Sequence, residues 1–388
     1  MGRFDRPASA DDYRERARRR LPRLLFDYID GGSYSEQALA RNLDAMGRVL
    51  LRQRVLQDMS RLNCATTLFG QSLSMPLLLG PVGLSGMYAR RGEVQAARAA
   101  RDAGIPFCLS TVSICSLAET RTGSGTPPWF QVYMIRDRVF MADLIAQASQ
   151  QHCPVLILTV DMPVPGARHR DTRSGMHGGL SPVGEALKIL RTGSHLRWMW
   201  DVWLQGRPHV FGNVAPAMPD ARTLPEFWQW LRDSFDPSIT WDDIAWLRAR
   251  WNGPIVVKGI MDPDDAREAV RHGVDGIIVS NHGGRQLDNA AASIEALPSV
   301  VDAVGDAIPV LFDGGIRTGL DMLKALALGA RACLIGRPWA YALAADGERG
   351  VSTMIEMFRR ELMTAMTLTG CADIATAGHH LVDRRFPA

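Results

Sequence analysis

From residue 76 onward, short apolar runs rich in β-branched and aromatic residues alternate with stretches in which Ala and Leu recur at helical spacing. Eight runs read as strands: MPLLLG (75–80), IPFCLS (105–110), WFQVYM (129–134), VLILTV (155–160), PIVVKG (254–259), GIIVS (276–280), PVLFDG (309–314) and ACLIG (332–336). The intervening segments EVQAARAARDAG (93–104), DPDDAREAVRHG (262–273) and GLDMLKALALGA (319–330) read as helices, each with a glycine at its end. Asp262 followed by Pro263 supplies an N-cap and a proline at the first helical position. Eight strand–helix units predict an α/β chain closed into a (β/α)8 barrel, with residues 1–388 as one domain.

Two stretches break the repeat. Residues 1–60 form a predicted helical cap that contains DYIDGG (27–32), and residues 172–240 separate the fourth and fifth strands by far more than one unit requires. Insertions of that length usually carry function, so this one is expected to act as a lid or as a contact surface.

Composition narrows the class. A chain that is 46% hydrophobic and 22% charged buries a large core, and a net charge of +3 without a nucleic-acid motif argues against a nucleic-acid partner. The six cysteines are scattered without metal-ligand spacing, which predicts free thiols, no disulfides and no metal site. The N-terminus is charged and lacks an apolar signal core, so a cytoplasmic location is expected. No apolar run reaches 18 residues, which argues against a spanning helix but leaves surface attachment open.

In a parallel barrel the chemistry belongs at the C-terminal strand ends, and polar residues collect there. The strands run into Val82-Gly83, Ser110, Gln131 with Tyr133, Thr159 with Asp161, Lys258, Ser280-Asn281-His282, Asp313-Gly314-Gly315 and Gly336-Arg337. SNHGGRQLD (280–288) is the densest of these, with a hydroxyl, an imidazole, two glycines and a guanidinium in a short span. By itself His282 could equally satisfy a loop carbonyl.

With DYIDGG, PVGLSG (81–86), WFQVY (129–133), LTVDMPVPGARHRD (158–171), VVKGI (256–260), DGGIR (313–317) and ALGARACLIGRP (327–338), that segment resembles the FMN-dependent 2-hydroxy-acid dehydrogenase and oxidase family over nearly the whole chain. Within it, SMPLLLGPVGLSGMYARRGEVQAARAA (74–100), TVDMPVPGARHRDTRSGM (159–176) and GRPHVFGN (206–213) look most like the bacterial respiratory L-lactate dehydrogenase branch. The resemblance implies oxidation of an L-2-hydroxy acid, L-lactate ahead of mandelate. Small residues at Gly83 and Val112 keep mandelate in view, and Gly83 also implies poor reaction with oxygen.

The resemblance also assigns roles. His282 is the expected base, with Asp161 as the carboxylate that stabilises its cation. Arg168 and Arg285 are expected to clamp the substrate carboxylate through paired hydrogen bonds, with Arg170 and Arg173 as neighbouring competitors for the first position. Tyr28 and Tyr133 would bond the substrate, although either could be a core tyrosine.

For FMN, Lys258 would face the electron-rich edge of the ring, or else make a barrel-mouth ion pair. Val82, Gly83, Ser110, Gln131, Thr159 and Ser280 would contact the rest of the ring, and Asp313 the ribityl chain. Gly314, Gly315, Arg317, Gly336 and Arg337 would hold the phosphate. The insertion segment 181–211 carries Trp198, Trp200 and Trp203 among Lys188, Arg191, Arg197 and Arg207, which fits either a lid or peripheral contact with the cytoplasmic face of the inner membrane. Quinone or cytochrome would then accept the electrons. Relatives imply a homotetramer.

Overall fold

The computed structural model describes residues 6–218 and 224–383. Small parts of the expected domain (1–5 and 384–388) and of the expected insertion (219–223) lie outside the described residues.

A small antiparallel hairpin, β1 (Thr66–Leu68) and β2 (Gln71–Leu73), precedes the barrel. The barrel strands are β3 (Leu77–Leu79), β4 (Cys108–Ser110), β5 (Trp129–Tyr133), β6 (Leu156–Thr159), β7 (Ile255–Ile260), β8 (Gly276–Val279), β9 (Val310–Asp313) and β10 (Ala332–Ile335). Each is parallel to its neighbour in the order β3-β10-β9-β8-β7-β6-β5-β4, and the bridge between Leu79 and Phe107 closes the ring. Every expected strand is present, each somewhat shorter than its apolar run except β7, which has the same length and ends one residue later.

Alternation along the strands sorts the core. Leu78, Cys108, Ile157, Val256, Ile278, Leu311, Ala332 and Leu334 form an inner cluster with Trp129, while Cys333 and Ile335 pack outward under the helices. Leu68 and Leu73 of the hairpin join the inner cluster, so the hairpin plugs the N-terminal end of the barrel. The sequence reading did not anticipate it, because three-residue strands show too little alternation to register.

The cap comprises α1 (Ala10–Arg20), α2 (Arg23–Asp30) and α3 (Gln37–Arg48). α1 packs on the long C-terminal helix Arg337–Thr369, which is kinked at Asp346 and Gly347. α2 ends at the barrel mouth, where Asp30 accepts hydrogen bonds from Arg14 Nη2 at 2.9 Å, Arg170 Nη1 at 2.7 Å and Tyr341 at 2.8 Å. That network fixes the end of α2 and the Tyr28 it carries. The insertion is ordered into helices, including His169–Ser174, Pro182–Gly193 and Leu224–Ser234.

Candidate active site

The mouth of the barrel opens into a cavity. All the residues expected at the site line it except Asp161, Gln131 and Ser280, which stand one layer behind.

Asp161 is held behind His282. His282 Nδ1 lies 2.9 Å from Asp161 Oδ1, and the backbone at His282 is left-handed with φ 57°. A left-handed non-glycine residue costs energy, so the loop must hold the ring where it is. Gln286 steadies the aspartate side by donating to the carbonyls of Asp161 at 2.8 Å and Val164 at 3.0 Å. Burial, reinforced by Lys258 and Arg168, outweighs the pull of Asp161 and keeps the His282 pKa below its ordinary value. Burial pushes the Asp161 carboxyl up, but His282 and Lys258 more than offset it and hold it below the usual range. The pair therefore rests as neutral imidazole and carboxylate.

Gly259 makes room for this pair. It has φ 115° at the bulge where β7 shifts register against β8, and a Cβ there would lie 2.6 Å from the Asp161 Cβ. Gly259→Ala should therefore displace Asp161 and destabilise the protein by roughly 1–3 kcal/mol. A thermal melt with parallel turnover measurements checks this, and unchanged values in both would show that the bulge does not set the aspartate.

Ser280 acts as a junction. Its hydroxyl accepts from Lys258 Nζ at 2.9 Å and from the His282 amide at 3.0 Å, and donates to Asp313 Oδ2 at 2.8 Å. Lys258 also lies 3.2 Å from Asp313 Oδ2, so the barrel-mouth ion pair left open by the sequence exists, and Lys258 still lines the cavity. Burial lowers the Lys258 pKa, but Asp313 and Asp161 raise it above its usual value, so the ammonium stays charged.

Two guanidiniums face the cavity without an anion. Arg168 is 7% exposed, its Nε is buried with no hydrogen-bond partner, and among the described residues neither it nor Arg285 forms an ion pair. Arg285 Nη1 donates to the carbonyls of Tyr28 and, at 2.8 Å, Gly31. Both cations sit over the Tyr28 ring, at 5.9 Å and 4.8 Å from its centroid. Burial and the neighbouring Arg285 lower the Arg168 pKa. Asp171 attracts both guanidiniums without forming an ion pair with either, so two like charges stay close together, and a bound carboxylate would relieve that repulsion. Of the three competing arginines only Arg168 lines the cavity: Arg170 is paired with Asp30 and Glu36, and Arg173 is exposed. Tyr133 is buried against Phe235, which raises its pKa and keeps the hydroxyl protonated as a donor.

The remaining residues test whether FMN fits. Gln131 accepts from Ser110 Oγ at 3.0 Å, and its Nε2 is buried without a partner, leaving a donor free at the polar floor. Gly336 has an ordinary φ of −112°, and a Cβ there would meet nothing nearer than Val82 Cγ2 at 3.7 Å. The backbone does not demand glycine at this position. The missing side chain instead leaves open space beside the start of helix Arg337–Thr369, where an anion is favoured. Gly314 and Gly315, with φ 115° and 93°, turn the loop after β9 along the same wall. These features fit a phosphate-bearing flavin.

Two expected cofactor contacts are partly committed elsewhere. Arg337 donates to the carbonyls of Ile29 at 3.0 Å, Gly283 at 2.8 Å and Gly31 at 2.7 Å, so much of its fork ties the loops together. Burial pulls its pKa down to about 10. The carbonyls of Val82 and Gly83 accept from Ser85 and Tyr88, each at 2.9 Å. Arg317 is freer, with its Nη1 bonded only to the Ile316 carbonyl at 2.9 Å.

Met162, Pro165, Trp228 and Leu231 also line the cavity, and sequence reasoning missed them. Phe227, Trp228 and Leu231 share the buried face of helix Leu224–Ser234, a pattern visible in FWQWL, but nothing in that pattern said which cavity it faced. The three insertion tryptophans separate. Trp198 is buried and donates to the Met87 carbonyl at 2.8 Å, as a lid residue would, whereas Trp200 and Trp203 are 63% and 40% exposed. Helix Pro182–Gly193 buries none of its residues, and no helix among the described residues is long and apolar enough to cross a membrane.

A family model described as FMN-dependent dehydrogenase matches residues 17–384. The chain is 54% identical over 380 residues to an L-lactate dehydrogenase of Caulobacter vibrioides, covering 98% of each protein. It is 52% identical over 368 residues to an L-lactate dehydrogenase of Haemophilus influenzae, covering 95% of this chain and 96% of that one. Among solved structures it resembles a monotopic membrane protein, (S)-mandelate dehydrogenase, with TM-score 0.90 and 34% identity over 98% of this chain and 100% of that one. It also resembles a mandelate oxidase in complex with (S)-4-hydroxymandelic acid, with TM-score 0.84 and 37% identity over 97% of this chain and 98% of that one.

Proposed function

Because the chain belongs to the FMN-dependent dehydrogenase family, we propose that it oxidises L-lactate to pyruvate at this mouth and delivers the electrons to a membrane quinone. The observation that carries the substrate reading is the Arg168–Arg285 pair, two cations that line one cavity with no ion-pair partner among the described residues, beside a neutral His282.

FMN, when bound, supplies the acceptor for two electrons. The protein does the rest. Arg168 and Arg285 bind the carboxylate and orient the carbon that bears the hydroxyl. Nδ1 of His282 donates to Asp161, which leaves the Nε2 lone pair to take the hydroxyl proton. The Asp161 carboxylate then stabilises the imidazolium, and Tyr133 donates to a substrate oxygen. Lys258 places a positive charge beside the cofactor, where negative charge would accumulate.

Lactate is favoured over mandelate by the relatives: the L-lactate dehydrogenases are 54% and 52% identical to this chain, the mandelate enzymes 34% and 37%. The kcat/KM for L-lactate should exceed that for (S)-mandelate by at least about tenfold, or ~1.4 kcal/mol of transition-state binding. A preference of that size for mandelate would overturn the substrate assignment.

The exposed helix Pro182–Gly193, with Val183, Ile189 and Leu190 about 70% exposed and basic residues beside them, supports peripheral attachment to the membrane. The solved relative described as monotopic supports the same reading.

A further inference from the structure

A second cavity, of about 840 Å³, lies under the insertion. Its walls are almost entirely apolar, with Leu25 and Met87 on the barrel side and Ile189, Trp198 and Met199 on the insertion side. Adjacent residues of one helix divide it from the substrate pocket: Phe227 faces this cavity and Trp228 faces the other. The partition is continuous. Phe211 stacks on Phe227 with centroids 3.5 Å apart and planes at 9°, Phe227 meets Trp228 at 5.2 Å, and Trp228 meets Tyr28 at 5.7 Å.

One polar atom is out of place in this apolar setting. His209 lines the cavity, its ring stacks on Trp203 at 5.1 Å, and its Nε2 lies 3.0 Å from the Trp203 carbonyl. That contact assigns the ring proton to Nε2. Nδ1 is shielded from solvent and has no partner, so it lacks the bond a buried nitrogen requires.

We propose that this cavity binds the ring and first prenyl units of a membrane quinone, with His209 Nδ1 at a ring oxygen and the Phe227–Trp228 wall between acceptor and substrate. The inference rests on the reading that electrons leave to a lipid-soluble acceptor. A quinone matches three features together: flat aromatic walls for a flat ring, one nitrogen for an oxygen at its edge, and an apolar remainder for the tail. An acyl chain would leave the nitrogen unpartnered. The opening beside helix Pro182–Gly193, whose Lys188 and Ile189 line the cavity and whose other apolar side chains point outward, lets the tail continue into a bilayer. Across the whole reaction the hydroxy acid loses two electrons and two protons. The quinone gains two of each, its carbonyls become hydroxyls, and no proton is released. With its ring proton on Nε2, His209 accepts through Nδ1 from a hydroxyl of the quinol.

The test uses the FMN-loaded protein in nanodiscs with decylubiquinone, whose binding is followed by quenching of tryptophan fluorescence. Reduction of a water-soluble dye by L-lactate is measured alongside. Ala215→Phe fills the cavity, and Met199→Gln makes its wall polar at similar volume, so that one variant remains informative if the other misfolds. Each should weaken decylubiquinone binding by about tenfold or more while dye reduction stays within about twofold. Unchanged binding in both variants overturns the proposal, and so does a wild-type protein that reduces the dye but neither binds nor reduces decylubiquinone. A protein that binds decylubiquinone in this cavity but reduces no dye with L-lactate overturns the substrate reading and leaves the cavity assignment standing.

Discussion

Replacing His282 with glutamine lowers kcat for L-lactate by roughly 10²- to 10⁴-fold, the usual contribution of a positioned base, while the yellow flavin absorbance stays with the protein. Glutamine can keep a hydrogen bond to Asp161 but cannot accept the substrate proton and hold it as a cation. Rapid mixing with L-lactate without oxygen, followed by the loss of flavin absorbance, measures the step directly. Turnover within tenfold of wild type would remove His282 from the role of base. The wild-type pH profile tests the same assignment. The base works only when unprotonated, and burial lowers its pKa, so the acid limb of kcat/KM should fall below the ordinary imidazole value of about 6.5. An acid limb above that value would contradict the balance of burial and Asp161 attraction described for the ring.

Arg168→Met should separate activity from stability. Loss of one arm of the clamp is expected to cost about 2–5 kcal/mol of transition-state binding, on the order of 30- to 5000-fold in kcat/KM. The same change removes a buried charge that has no ion-pair partner and sits near Arg285, so the melting temperature should hold or rise. Oxalate offers a carboxylate without turnover: it should raise the melting temperature of the wild type and do little for the variant. A marked fall in melting temperature, with oxalate still stabilising the variant, would show that Arg168 is structural. Arg285→Lys is expected to be nearly as harmful, because an ammonium cannot reach the Tyr28 and Gly31 carbonyls and a carboxylate at once.

The barrel was legible because each strand is a short apolar run bounded by turn residues, and the candidate site was legible because a parallel barrel gathers its chemistry at one end of those runs. Arg168 was preferred to Arg170 only through the family resemblance, because the physical difference between them depends on Asp30 and Glu36, more than 130 residues away in the chain. Asp30 itself gave no sign that it would anchor the cap. Gln131 could be placed at a strand end, but only the packing shows that its amide nitrogen lacks a partner. Trp228 was hidden for a different reason. A helical stripe marks a buried face without naming the surface it meets, and this helix divides two cavities. The tryptophan cluster read equally as lid or membrane contact because it contains both, Trp198 turned inward and Trp200 turned out.

The ties from Arg337 to Ile29 and Gly31 bear on when the enzyme becomes active as well as where its site lies. The wall that carries Tyr28 is made well before the guanidinium that pins it, which follows 308 residues after Ile29. At ordinary elongation rates of about 5–20 residues per second, α2 waits roughly 15–60 s for that partner. Until then the newborn chain can form barrel units but has no completed substrate pocket, so its capacity to turn over waits for Arg337.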